Sequence, residues 1–242
     1  MAIVNLKHVG YDVDVDLHGA VEVHAGKGQL VVLLAEAHND NNVIGQNLHS
    51  TLNLIDAGVA GLVGVEEFCP IDVTKELMLD IGPRKAGSLA AYGEILRKEF
   101  GGDAGIIAGI RKQKYPPRMG FAKHLAYMRP AVPLVGVEDK ELRLQTQRDN
   151  QAAALLFPEE KDVEKRKKMQ IAKFRADGVE RELKRDAAFL RLALEAHASL
   201  GSPGAVLING GGLHMKRIAE TLGKEGKACL LILPDGYTDA LD

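Results

Sequence analysis

Leu30-Val31-Val32-Leu33-Leu34-Ala35, running into Glu36-Ala37-His38-Asn39-Asp40, is the stretch that decides the fold. A continuous apolar run this short, closed by a polar turn, reads as a strand buried on both faces. Residues 42–57 follow with helical spacing, carried by Val43, Leu48, Leu52 and Ile55, and Gly58 is a stop signal. Ala60–Val65, Val132–Val137, Ala205–Ile208 and Ala228–Leu233 repeat the short apolar pattern. Helical patterns lie between them: stretches around 87–100 and 118–128, a long charged region over 140–200 interrupted near Pro158 and Gly178, and Leu213–Leu222. Buried strands alternating with helices predict an α/β fold, a mainly parallel open sheet with helices on both faces. Upstream, Tyr11, Val13, Val15 and Leu17 alternate with Asp12, Asp14 and Asp16. The alternation resumes at Val21–His24 after a turn at Gly19, which predicts an N-terminal antiparallel β-hairpin at the sheet edge.

The bulk numbers narrow the class. With 242 residues, 46% hydrophobic and 26% charged, the chain suits one α/β domain over 1–242. That domain carries a helical insertion or cap around 71–130. A net charge of -2 gives no electrostatic case for nucleic acid. No apolar run is long enough to span a membrane. The opening Met1–Lys7 lacks the basic segment and apolar stretch of a secretory signal. Two cysteines, Cys69 and Cys229, read as free thiols. A cytoplasmic protein acting on a small molecule or peptide is expected; nothing in the sequence sets an oligomeric state.

In open α/β sheets, ligands bind beyond the carboxyl ends of the strands. Glu36, His38 and Asp40 follow the first buried strand, Glu66 and Glu67 the second, Glu138 and Asp139 the third, and Gly210-Gly211-Gly212 with His214 the fourth. Glu36, His38, Glu66 and His214 are therefore expected to line one cleft, with Glu67, Asp40 and His49 as further candidates. Histidines among carboxylates suit acid–base chemistry or a divalent metal such as Zn or Mn, for which His38, Glu66 and His214 are the candidate ligands. Glu138-Asp139 is assigned the ordinary role of opening the next helix. The glycine run matches neither common phosphate-loop spacing.

These motifs resemble the erythromycin-esterase/ChaN/TraB-like superfamily, closest to its ChaN-like branch. Leu33–Asp40 resembles that branch's first motif, a strand ending in Gly-Glu-x-His, with Ala35 in place of the glycine. Gly64-Val65-Glu66-Glu67-Phe68 resembles its second, and Val206–His214 its last, a strand running into a glycine turn and a histidine. The resemblance also implies an Arg-Asp pair on the helix before that strand. Arg185-Asp186, 28–29 residues before His214, is preferred to Arg148-Asp149. It implies a hydrolase of ester or amide bonds, with His38 or His214 activating water and Arg185 stabilising an anionic intermediate. Its alternative is a haem- or iron-binding protein using the same cleft. A third reading makes the charged helical region 158–200 a partner-binding surface.

Overall fold

The five strands expected from the apolar runs lie in one six-stranded sheet. A computed structural model describes residues 2–37, 40–66, 88–113 and 120–237. Its strands are β1 (Ala2–Asn5), β2 (Asp14–Leu17), β3 (Ala20–His24), β4 (Lys27–Glu36), β5 (Ala60–Val65), β6 (Leu134–Gly136), β7 (Ala205–Gly211) and β8 (Lys227–Leu233). The helices are α1 (Asn41–Asp56), α2 (Leu89–Phe100), α3 (Asp103–Arg111), α4 (Gly120–Met128), α5 (Lys140–Ala153), α6 (Val163–Leu200) and α7 (Gly212–Lys224). The sheet order is β3-β8-β4-β7-β5-β6. β8, β4, β7, β5 and β6 run parallel to one another, and β3 pairs antiparallel with β8 at the edge.

An N-terminal antiparallel hairpin is present, but its strands are β1 and β2, which form a separate two-stranded sheet. The turn read at Gly19 does not pair 11–17 with 21–24. It passes the chain from that small sheet to β3. Gly19 has φ 102°, and a Cβ there would lie 2.0 Å from the Leu233 carbonyl oxygen. The backbone therefore crosses the end of β8 at a distance only glycine allows.

Strand alternation divides the core between the two faces. Val32 and Leu34 of β4 and Leu207 of β7 pack toward α1 and α4. Val31, Leu33, Val206 and Ile208 pack toward α6 and α7, against Phe189, Ala193, Met215 and Ile218. α6 continues without a break through Gly178. Among the described residues, no helix is long and apolar enough to cross a membrane. Cys229 is buried in β8, whereas Cys69 lies outside the described residues.

His124 of α4 is buried, and its Nδ1 sits 2.6 Å from the Gly120 carbonyl oxygen. Burial pulls its pKa from 6.5 down to about 4. Above pH 6.5 the ring is neutral in both the folded and the unfolded chain. As pH falls through 6.5 only the unfolded chain takes the proton, so stability drops until the folded ring protonates too. The loss attributable to His124 should reach roughly 3 kcal/mol by pH 4. Thermal melting of the wild type and His124→Gln between pH 7 and pH 4 checks this. The variant should show the shallower acid limb; parallel limbs would contradict it.

Candidate functional site

Three of the expected residues, Glu36, Glu66 and His214, reach the carboxyl edge of the sheet, and a residue of α6 contacts two of them. Apolar contacts from Phe189 and Ala193 seat the C-terminal half of α6 on the sheet. Continued toward the N-terminus at helical spacing, the same stripe presents Arg185, Arg181 and Gly178, all buried. Arg185 thus points at the strand ends from a position where a core residue would ordinarily stand.

All five N–H groups of Arg185 find acceptors. Nε and Nη2 donate to the two oxygens of Glu138, each at 3.0 Å. Nη2 also donates to Glu66 Oε1 at 3.1 Å, and Nη1 donates to Glu182 Oε2 at 3.0 Å. The last Nη1 contact is His214 Nε2 at 3.3 Å. Burial disfavours the charged guanidinium, but the surrounding carboxylates outweigh it and hold its pKa above the ordinary arginine value. For Glu138 burial dominates: it raises the pKa against the pull of Arg185, and Glu66 adds to the rise.

Glu66 follows the last residue of β5. Its backbone N–H donates to Asn209 O at 3.2 Å, which extends the β5–β7 ladder by one bond. Its Oε2 accepts from the Gly211 N–H at 2.5 Å. A Cβ on Gly210 would stand 2.9 Å from that same oxygen, so the glycine turn makes room for the carboxylate. Glu36 closes β4, backbone-paired in register with Gly211.

His214 lies in the first turn of α7 and is 8% exposed. Its Nδ1 meets Asp186 Oδ1, and its ring tilts against Phe189 at 5.0 Å. Burial pushes the Asp186 carboxyl upward, but hydrogen bonds from His214 and Arg217 prevail and hold it below the usual range. An ionised carboxylate can only accept, so Nδ1 carries a proton; in the neutral ring Nε2 is then bare and faces the Arg185 Nη1 donor. The 3.1 Å approach of Arg217 Nη2 to Nδ1 therefore joins two donors and is a contact rather than a bond. Arg217 spends its donors on Asp186, at 2.5 Å and 3.1 Å.

These groups border a cavity of about 640 Å³ whose wall includes Glu36, Glu66, Glu182, His214, Arg217 and Tyr237. The N-terminus of α7, at Gly212 and Leu213, opens onto it with no side-chain cap. The first backbone N–H groups of a helix have no partner within it, so this turn is an anion-accepting surface.

Other expectations resolve differently. Asp40 caps α1, accepting from Asn42 N at 2.8 Å and Val43 N at 3.2 Å, and does not border the cavity. His49 is turned toward β2. It contacts Asp16 Oδ2 at 3.4 Å and packs edge-on against His18, so it too is absent from the cavity wall. His38 and Glu67 lie outside the described residues. Of the two Arg-Asp pairs, Arg185-Asp186 joins the cluster, and Asp149 of the other pair binds Arg181. Glu138 and Asp139 part company. Asp139 caps α5 through Glu141 N and Leu142 N, as expected, whereas Glu138 belongs to the Arg185 cluster. Glu138, Glu182 and Arg217 were not singled out as site residues. The spacing of Arg181, Glu182 and Arg185 ahead of Phe189 was the available signal.

Of the three candidate metal ligands, His38 lies outside the described residues. Glu66 Oε1 and His214 Nε2 approach to 3.7 Å, but the cation matched to them is Arg185. Among the described residues no group of three or more His, Cys, Asp or Glu is arranged to hold a metal ion.

Known protein families give no match, and neither do curated proteins. Among solved structures the chain is similar to that of the type III effector HopBA1. The TM-score is 0.34 with 17% identity over 76% of this chain and 66% of that one, just short of two thirds of its length. A likeness of that size leaves function to the geometry.

Removing Glu138 strands a buried guanidinium and should be severe, whereas removing Asp139 costs one helix cap. Glu138→Ala is expected to lose about 3–5 kcal/mol and Asp139→Ala about 1 kcal/mol. Urea unfolding of both variants checks the order; equal losses would contradict the cluster.

Proposed function

We propose that the chain hydrolyses an ester or amide bond of a small-molecule or peptide substrate, with His214 as general base. The observation that carries this reading is the His214–Asp186 pair. Its carboxylate fixes the imidazole with Nε2 bare, on a residue that borders a 640 Å³ cavity. Cavities of this size commonly hold small ligands.

A water approaching Nε2 displaces the long 3.3 Å contact from Arg185 Nη1. The freed N–H then holds the water oxygen. Nε2 takes a proton as that oxygen attacks the carbonyl carbon. The oxyanion forms against the uncapped N–H groups of Gly212 and Leu213. Collapse expels the alkoxide or amine, which takes the proton back from Nε2. The anion-stabilising role expected for Arg185 passes to this helix terminus, because four of the five Arg185 donors are held by carboxylates. Arg185, Glu66 and Glu138 act as positioning residues. The resemblance to the erythromycin-esterase/ChaN/TraB-like superfamily supports the same reading, since its last motif ends on His214 and its Arg-Asp pair falls on Arg185-Asp186.

His214→Gln and Asp186→Asn should each lower turnover of chromogenic esters and peptide amides by about 10²–10⁴-fold while melting near the wild-type temperature. Wild-type turnover in the folded His214→Gln variant would sink the mechanism.

A further inference from the structure

The buried stripe of α6 runs through Gly178, Arg181, Arg185 and Phe189, and the outer positions beside it are mostly polar. Glu180 and Lys184 pair with each other at 2.7 Å on that outer side. Val179 and Leu183 break the pattern. They lie one helical turn apart, 58% and 53% exposed, and both border the cavity. Leu213, in the first turn of α7, is 38% exposed and borders it as well. Single exposed apolar residues are ordinary on a protein surface. Three that converge from two helices on one cavity are not scattered.

Their place relative to the chemistry is specific. Leu213 immediately precedes His214. Leu183 immediately follows Glu182, whose Oε2 stands 3.4 Å from His214 Nε2. Val179 carries the apolar strip about 6 Å further along α6, one turn away from that nitrogen. The charges of the wall, meanwhile, balance. Glu36, Glu66 and Glu182 stand against Arg175, Arg181 and Arg217. Glu182 is shared between Arg181 and Arg185, Glu66 binds Arg185 and Gly211, and Arg217 is held by Asp186. A charged ligand would find no surplus of the opposite sign here, whereas an apolar one would find a surface ready to cover it.

We propose that the substrate carries an uncharged hydrocarbon group next to its scissile bond, seated on Val179, Leu183 and Leu213. The word substrate rests on the hydrolytic reading above; the apolar site does not. Burial of each methylene there strengthens binding about fourfold. Val179 and Leu183 would then set specificity by the length of that group, while the acid–base work stays with His214.

NMR titration of the full chain with two methyl ketones, acetone and 2-octanone, tests the site without turnover, since neither can be hydrolysed. The wild type should bind 2-octanone at least tenfold more tightly than acetone, through shifts of the Val179, Leu183 and Leu213 methyl signals. The double variant Val179→Gln/Leu183→Gln changes two exposed positions and should fold as the wild type does. It should lose about tenfold of the 2-octanone affinity. Across p-nitrophenyl esters from acetate to octanoate, kcat/KM should rise with chain length in the wild type and flatten in the double variant. Ketone binding as expected, with no ester or amide turned over, would fail the hydrolytic reading and keep the apolar site. Ester turnover with 2-octanone bound no more tightly than acetone, or bound undiminished by the double variant, would overturn the site and keep the hydrolytic reading. A wild type that sediments as a dimer and a double variant that sediments as a monomer would overturn it too, by assigning the strip to contact between copies of the chain.

Discussion

A buried guanidinium is tolerable only if nearly every donor it carries is met, and Arg185 meets that condition by drawing four elements together. Glu66 comes from the end of β5, Glu138 from the end of β6, Glu182 from α6 itself and His214 from the first turn of α7. Taking the charge out of water costs several kcal/mol before any attraction is counted. The cluster is therefore weak evidence for stability and strong evidence for geometry: each carboxylate must stand where the planar fork demands it.

That constraint propagates into the site. Glu66 cannot move from Arg185 without also releasing the Gly211 N–H, which fixes the turn between β7 and α7. The turn sets where His214 enters, and Asp186, one residue beyond Arg185 on the same helix, then takes Nδ1. One helix thereby supplies both the clamp on the strand ends and the carboxylate that orients the imidazole. Glycine at 210 and 211 is part of the same device, since a side chain at 210 would crowd the Glu66 carboxylate.

Much of this was legible in the sequence because buried parallel strands announce themselves as short apolar runs, and polar residues at their carboxyl ends then fall on one edge. That logic places Glu36, Glu66 and His214 on one cavity wall. It failed where the answer depends on how a helix is rotated on the sheet. Arg185 was reached only through a motif, and Glu182 and Arg217 were invisible because charged residues on a long polar helix look solvated until the apolar stripe through Phe189 and Ala193 is extended toward them. Glu138 was misread for a related reason: helix-opening acids are common, and Asp139 beside it does fill that role. The N-terminal strands show the limit of alternation, which fixes that β2 and β3 are strands but not that β2 pairs with β1 and β3 with β8.

The central claim is that Asp186 holds the His214 ring with its proton on Nδ1 and its Nε2 bare toward the cavity. Nitrogen chemical shifts of that ring, measured by NMR at a pH where it is neutral, test this directly. The account predicts a pyrrole-type shift at Nδ1 and a pyridine-type shift at Nε2, with the preference weakened in Asp186→Asn. A ring protonated at Nε2, or one indifferent to the loss of the Asp186 charge, would contradict it.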